Sequence, residues 1–324
     1  RTGGFFNNRQ LDPERNFGQG FETFHVDYDP NETAFLAEPR TWLDEVAGER
    51  QFMSIHFISP HAPNRAREMS EQCYTPGYTG RFAGGSGPID ELDTIDDPAE
   101  LARFKELYTG EVHYADHLFG VVWDALVARG LVDDSVVMVT ADHGEGLMDH
   151  DILFHQKVYE EVVRIPLIIR HPDARGGART DIRVSNVDFF PTLAGVAGLE
   201  TPPDIDGTNL QEGDPGPRPL LLTSMTNMKH RSMGMLWGDH KIIANCERPT
   251  RPTWELYDLR TDPAETNNVY TTSAVVGDSL RAIMDALTEV GPCGAIRAAS
   301  RGRSATEGLT PEKIEQLKSL GYVR

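Results

Sequence analysis

No stretch of ~18 or more consecutive apolar residues occurs in the chain, so nothing in it reads as a membrane-spanning helix. Basic residues are outnumbered: 31 Lys and Arg stand against 50 Asp and Glu, a formal net charge of −19. That balance argues against nucleic acid, whose phosphates need Lys and Arg for neutralisation. It is compatible with a divalent cation, and an anionic substrate stays possible because the local field of a site can oppose the net charge. Only three cysteines are present, Cys73, Cys246 and Cys293, without metal-type spacing. They imply no disulfide framework and fix no redox compartment. No signal peptide is legible, and the chain opens on Arg1 rather than Met. The segment Arg1-Thr2-Gly3-Gly4-Phe5-Phe6 reads like the inside of a fold, so an N-terminal truncation is expected, and targeting information with it. Periplasmic, extracellular and cytoplasmic locations all stay open, and oligomeric state has no signal.

What is present centres on Val136-Val137-Met138-Val139-Thr140-Ala141-Asp142-His143-Gly144-Glu145. An apolar, β-branched run that ends in polar groups reads as a buried parallel strand, and in open α/β sheets ligands sit at that carboxyl end. Asp142 and His143 on a glycine turn aim two ligand types at one spot, as a metal site needs. Earlier in the chain, Thr33 to Ala47 has helical spacing, and Gln51 to Ser59 reads as a strand. It stops at Pro60-His61-Ala62-Pro63, which places His61 just past a strand's carboxyl end. Residues 64–96 read as a loop excursion. Asp97-Pro98 opens a long helix that Gly130 ends, with a bend expected at Gly110. A further strand runs from Val163 to Arg170, and Asp188 caps a helix through Ala197. Alternating strands and helices to about residue 200 predict a mainly parallel sheet covered by helices on both faces.

From Pro215 the texture changes. Short strands are expected at Leu220–Ser224, Ser232–Trp237, Lys241–Asn245 and Trp254–Leu259, forming an antiparallel sheet. A helix from about Ser273 to Glu289, a loose stretch over 291–306 and a last helix from Pro311 to Leu320 follow. The expected division is 1–214, an α/β catalytic domain, and 215–324, a smaller C-terminal antiparallel α+β subdomain.

Taken in order, the motifs resemble those of sulfatases of the alkaline-phosphatase superfamily. They are Gly20-Phe21-Glu22-Thr23-Phe24, Ser59-Pro60-His61-Ala62-Pro63, Tyr108-Thr109-Gly110-Glu111-Val112 with Asp116, and Thr140-Ala141-Asp142-His143-Gly144-Glu145. Tyr159-Glu160-Glu161-Val162-Val163-Arg164-Ile165-Pro166-Leu167, Val187-Asp188-Phe189-Phe190-Pro191-Thr192-Leu193, and Glu255-Leu256-Tyr257-Asp258-Leu259 with Asp262-Pro263-Ala264-Glu265 continue the series, which ends on Leu317-Lys318-Ser319-Leu320-Gly321-Tyr322-Val323. Each is weak alone; the set in this order spans nearly the whole chain.

The resemblance implies hydrolysis of a sulfate monoester, a sulfated glycan being one candidate, by a formylglycine nucleophile with a divalent metal, usually calcium. It places Asp142 and His143 as metal ligands, His61 and His155 at the ester oxygens with one as general acid, and Asn8 as a weak substrate contact. Histidine suits the acid role because its pKa lies near neutrality. An imidazole ligand also makes Mn2+ or Zn2+ more plausible than an all-oxygen set does. No Cys/Ser-x-Pro-x-Arg motif and no early Asp-Asp metal pair occur in the sequence. A fragment whose nucleophile lies upstream is therefore expected, inactive as it stands. Glu145 is expected to fix the turn or cap a helix, Asp149 and His150 to lie in a mobile loop, and Lys157 to be a surface charge. Two other readings stand beside this one: a phosphonate monoester or phosphodiester hydrolase on the same scaffold, and a non-catalytic relative that binds sulfated glycans.

Overall fold

The computed structural model describes all residues except 28–31, 89–91, 93, 174–175, 225–230, 249–250, 289–290 and 300–324. The expected last helix, Pro311 to Leu320, lies outside the described residues. Among the described residues the chain divides into two compact units, Arg1–Asp133 and the stretch that begins at Asp134 and runs through the helix Pro292–Ala299 near the end of the described chain. The boundary expected at 214/215 lies inside the second unit, just ahead of its four-stranded sheet.

In the first unit, β1 (Thr2–Phe6), β2 (Thr23–Val26) and β3 (Phe52–His56) form a parallel sheet in the order β2-β1-β3. The central strand carries Gly3 and Gly4 because neighbouring rings press on it. A Cβ on Gly3 would meet the Trp42 ring at 2.7 Å, and one on Gly4 would meet the Phe6 ring at 2.7 Å. The expected helix over Thr33 to Ala47 forms as two pieces, α1 (Glu32–Phe35) and α2 (Ala37–Glu45). The long helix α3 (Pro98–Ala128) starts where the sequence signals it: the Asp97 side chain accepts from the N–H groups of Ala99 and Glu100, and Pro98 sits at its first position. It runs through Gly110 without a break. The glycine serves contact instead, since a Cβ there would lie 2.2 Å from the Tyr74 hydroxyl. Phe5, Trp42, Leu43, Tyr114 and Leu118 make the core between sheet and helices.

In the second unit, β4 (Val137–Thr140) forms as expected, but its partner is β7 (Leu167–Arg170) and the pairing is antiparallel, Thr140 opposite Leu167. The strand is half-buried rather than buried. A parallel return requires a long crossover, usually a helix. Here the connection spends its length on a hairpin, β5 (Gly146–Leu147) with β6 (Leu153–Phe154), and a single helical turn, α4 (Glu160–Val163). The chain therefore re-enters at the Thr140 end. Helix α5 (Phe189–Ala197) follows.

The four short strands predicted after residue 215 all form: β8 (Leu220–Ser224), β9 (Ser232–Trp237), β10 (His240–Asn245) and β11 (Thr253–Asp258), antiparallel in the order β11-β10-β9-β8. Helices α6 (Ala274–Leu287) and α7 (Pro292–Ala299) close this part, so the described portion of the stretch expected to be loose is helical. Met235, Ile242, Leu256, Met284 and Ile296 form its core. Cys246 and Cys293 are joined in a disulfide across 47 residues. The sequence reading missed it because the two thiols meet only when β10 and α7 fold onto one another. The chain is thus α/β, with a parallel sheet in its first unit and an antiparallel sheet toward its C-terminus.

Candidate functional site

The turn after β4 is held by backbone. Gly144 N–H donates to Val162 C=O at 2.6 Å, and a Cβ on Gly144 would lie 2.2 Å from the Glu161 carbonyl oxygen. Only glycine allows α4 to press this close, and the contact fixes where Asp142 and His143 point. The Asp142 side chain is 65% exposed and that of His143 31%. Asp142 Oδ1 accepts from the His143 N–H at 3.0 Å, and Asp142 Oδ2 lies 3.7 Å from His143 Nε2. His143 Nδ1 lies 2.8 Å from the Gly144 carbonyl. Donation to that carbonyl puts the proton on Nδ1 and the lone pair on Nε2, the form in which histidine binds a metal. An exposed carboxylate and an imidazole lone pair 3.7 Å apart suit a divalent cation, and both residues fit as two members of its ligand set.

His155 joins them. Its ring centroid lies 4.2 Å from that of His143. Its Nδ1 is 3.2 Å from Glu145 Oε1, a carboxylate that is almost fully buried. Glu145 therefore holds His155, which is neither a helix cap nor a turn role. The preceding Phe154 is buried at φ 65°, a left-handed conformation that turns the chain so that His155 faces the β4 turn. Three sequence-predicted residues, Asp142, His143 and His155, thus come together in the second unit.

The other two belong to the first unit. His61 follows β3 on a turn in which its N–H donates to Ile58 C=O at 2.8 Å and its Nδ1 lies 2.5 Å from the Ala62 carbonyl. Asn8 is buried, and its side-chain oxygen accepts from the Gln10 N–H at 2.9 Å, capping a short helical turn. Beside His61 lies a network the sequence reading did not see. Ser59 Oγ is 2.5 Å from Glu32 Oε2 and 3.0 Å from Glu111 Oε2. Arg67 Nε donates to Glu111 Oε2 at 2.8 Å, and its guanidinium covers the Tyr114 ring at 3.5 Å. A serine hydroxyl has one proton and cannot donate to two carboxylates. Burial pushes the Glu32 carboxyl up, against the Ser59 donors and Arg67. The readable clue was Glu111 standing on the apolar stripe Phe104, Leu107, Tyr114, Leu118 of α3.

Two further expectations change. Lys157 is buried, with its Nζ 2.7 Å from Asn245 Oδ1 and 2.5 Å from Glu247 Oε1. His150 is not in a free loop: it pairs with Glu161 at 2.7 Å, close to Glu265. That trio has the residue types of a metal site, but its charges are already matched. Lys241 Nζ, fully buried, sits 2.8 Å from Glu265 Oε1 and 3.1 Å from Glu160 Oε1.

Comparison with known proteins gives the context. The sulfatase family model matches residues 3–199. A choline-sulfatase of Rhizobium meliloti is 26% identical over 279 residues, covering 76% of this chain and 52% of that protein. An N-acetylglucosamine-6-O-sulfatase of Bacteroides thetaiotaomicron is 31% identical over 176 residues, covering 50% of this chain and 31% of that protein. The chain thus spans about half the length, or less, of these curated relatives. Among solved structures, a protein in complex with its substrate D-glucosamine-2-N,6-O-disulfate superposes with a TM-score of 0.61 at 20% identity over 81% of this chain and 69% of the other. The phosphonate monoester hydrolase of Agrobacterium radiobacter gives 0.62 at 22% identity over 82% of this chain and 60% of the other. Both likenesses concern the fold, which is that of the alkaline-phosphatase-like enzymes. With the family model covering well over half its residues, the chain belongs to the sulfatase family.

Proposed function

We propose that this chain is the metal-binding and leaving-group portion of a sulfatase that hydrolyses a sulfate monoester to an alcohol and inorganic sulfate. The observation that carries the reading is the meeting of Asp142, His143 and His155 at the end of β4. Asp142 and His143 would hold a divalent cation, Ca2+ or, given the imidazole, Mn2+ or Zn2+. When bound, the cation offsets the charge on the ester oxygens. His155, oriented by Glu145, stands where it can donate a proton to a departing alkoxide. His61, whose Nδ1 is turned to the Ala62 carbonyl in the first unit, is proposed as an ester-oxygen contact on the family resemblance alone. Asn8 enters through its amide nitrogen, since its oxygen is held by Gln10. The nucleophile is a formylglycine in the family resembled, and these 324 residues hold no motif for it.

The relatives make sulfated sugars and choline sulfate the first substrates to try. The test is release of inorganic sulfate from these and from an aryl sulfate, by the protein expressed from its complete coding sequence, with Asp142→Ala and His155→Ala beside it. Sulfate release that both substitutions reduce by about a hundredfold or more supports the reading. Turnover of a phenyl phosphonate monoester alone moves the phosphonate hydrolase reading ahead, which the fold likeness to such an enzyme favours. Tight binding of a sulfated glycan with no turnover of any ester makes the chain a binding protein.

A further inference from the structure

His150 lies on the turn of the β5–β6 hairpin, and each of its ring nitrogens faces an oxygen. Nδ1 is 2.7 Å from Glu161 Oε1 on α4, and Nε2 is 3.2 Å from the backbone carbonyl of Glu265, in the loop after β11. Neither a carboxylate oxygen nor a carbonyl brings a proton. Neutral imidazole has one N–H and satisfies one of the two; imidazolium has two and satisfies both. The ring face is covered by Tyr159, with centroids 3.9 Å apart and planes 7° from parallel, a stacking that suits a cation.

The surrounding charges favour the same form. Glu161 faces it from α4, where the neighbouring Glu160 is bound to Lys241. Glu265 and Asp262 face it from the loop after β11, and Asp149 and Asp151 flank it on its own turn. Against these stands Lys241 on β10, which is bound to Glu265 and Glu160. The hydrogen bond to Glu161 raises the His150 pKa above the ordinary histidine value, against its burial. The Asp262 carboxyl is held low, against burial, by the N–H groups of Thr266 and Asn267 and by the charge of His150.

The hairpin needs fastening. Met148, Asp151 and Phe154 all have positive φ, at 69°, 55° and 65°. Non-glycine residues keep such conformations only when their surroundings impose them. The same hairpin joins the Asp142-His143 turn at one end to His155 at the other.

We infer that His150, as the imidazolium, is a positioning residue: a proton-dependent clasp that fastens the β5–β6 hairpin to α4 and to the loop after β11, and so holds His155 beside Asp142 and His143. The two acceptors call for two ring protons whichever ester the site takes. Because the folded form binds the proton more tightly, the clasp is complete below the unfolded histidine value of about 6.5 and opens as pH rises through the higher folded value.

Two measurements on the whole chain decide it. In two-dimensional NMR of ring-labelled histidines, the His150 signals, assigned by their loss in His150→Gln, are expected to show both nitrogens protonated at pH 6.5. A single protonated nitrogen there overturns the clasp. In hydrogen exchange corrected for the intrinsic pH dependence, amides over 146–154 are expected to exchange at least tenfold faster above the folded pKa than at pH 6. His150→Gln, whose two donors share one nitrogen and cannot reach both oxygens, is expected to exchange fast at every pH, while α3 amides stay unchanged in both proteins. Equal hairpin protection in the two proteins at pH 6 overturns it as well. Should His150→Gln fail to fold, Glu161→Gln takes its place, with the same expected loss of protection and the same overturning result.

Discussion

Gly144 has no room for a side chain. Its missing Cβ faces a backbone carbonyl at 2.2 Å, so Gly144→Ala must move backbone rather than a flexible tip. Overpacking of this kind costs about 1–3 kcal/mol. Because the contact sets the Asp142-His143 turn, the substitution is expected to weaken cation binding as well, read by isothermal titration against the wild type; unchanged affinity would show that α4 does not position the turn. Glu32 makes a different demand. Its folded pKa is raised, so the folded protein keeps a proton that the unfolded chain releases above about pH 4.3. Stability from this group is present below that pH and declines as pH rises toward the folded value. Glu32→Gln keeps an acceptor for the Ser59 N–H and a donor for its hydroxyl. It is therefore expected to be the more stable protein at pH 8 and to lose this decline in urea unfolding across pH 4–8.

At the scale of elements, legibility followed locality. Asp142 and His143 were readable because an apolar strand stopping on a glycine turn is a pattern of adjacent residues. His155 was readable by its spacing from Tyr159 in the family's motif order. The four C-terminal strands announced themselves by short apolar runs between turns. What failed to show was pairing at a distance. Ser59 meets Glu111 across 52 positions and Lys157 meets Asn245 across 88, and no periodicity encodes either. The direction of β4 depended on what fills the chain between it and β7, a hairpin whose turn residues are not glycines. The Cys246–Cys293 bond belongs with these. It ties the end of β10 to α7, and closing a loop of that length removes about 4 kcal/mol of unfolded-state entropy in the chain-entropy account. Reduction, or Cys246→Ala with Cys293→Ala, is expected to lower the thermal midpoint by several degrees, with hydrogen exchange rising in α7 and the β9–β10 ladder and not in α3. Exchange rising evenly over both units would mean that the bond is no local clamp.

For the whole molecule, the two compact units divide the expected chemistry. His61 and its Glu32–Ser59–Glu111 network lie in one, and Asp142, His143, His155 and the His150 clasp lie in the other. A cation held by Asp142 and His143 binds a folded second unit and not an unfolded one. At a hundred times its dissociation constant it therefore stabilises that unit by about 2.7 kcal/mol. Added Ca2+ or Mn2+ is expected to raise protection from exchange across β4 and the β5–β6 hairpin and leave the amides of α3 as they were. Asp142→Ala is expected to abolish the response. Glu161→Gln is expected to keep it, because Glu161 is already paired with His150 and Glu265 with Lys241. A response that survives Asp142→Ala and disappears with Glu161→Gln would move the cation to the His150, Glu161 and Glu265 cluster. Residues of the β4 turn would then be left to contact the ester directly.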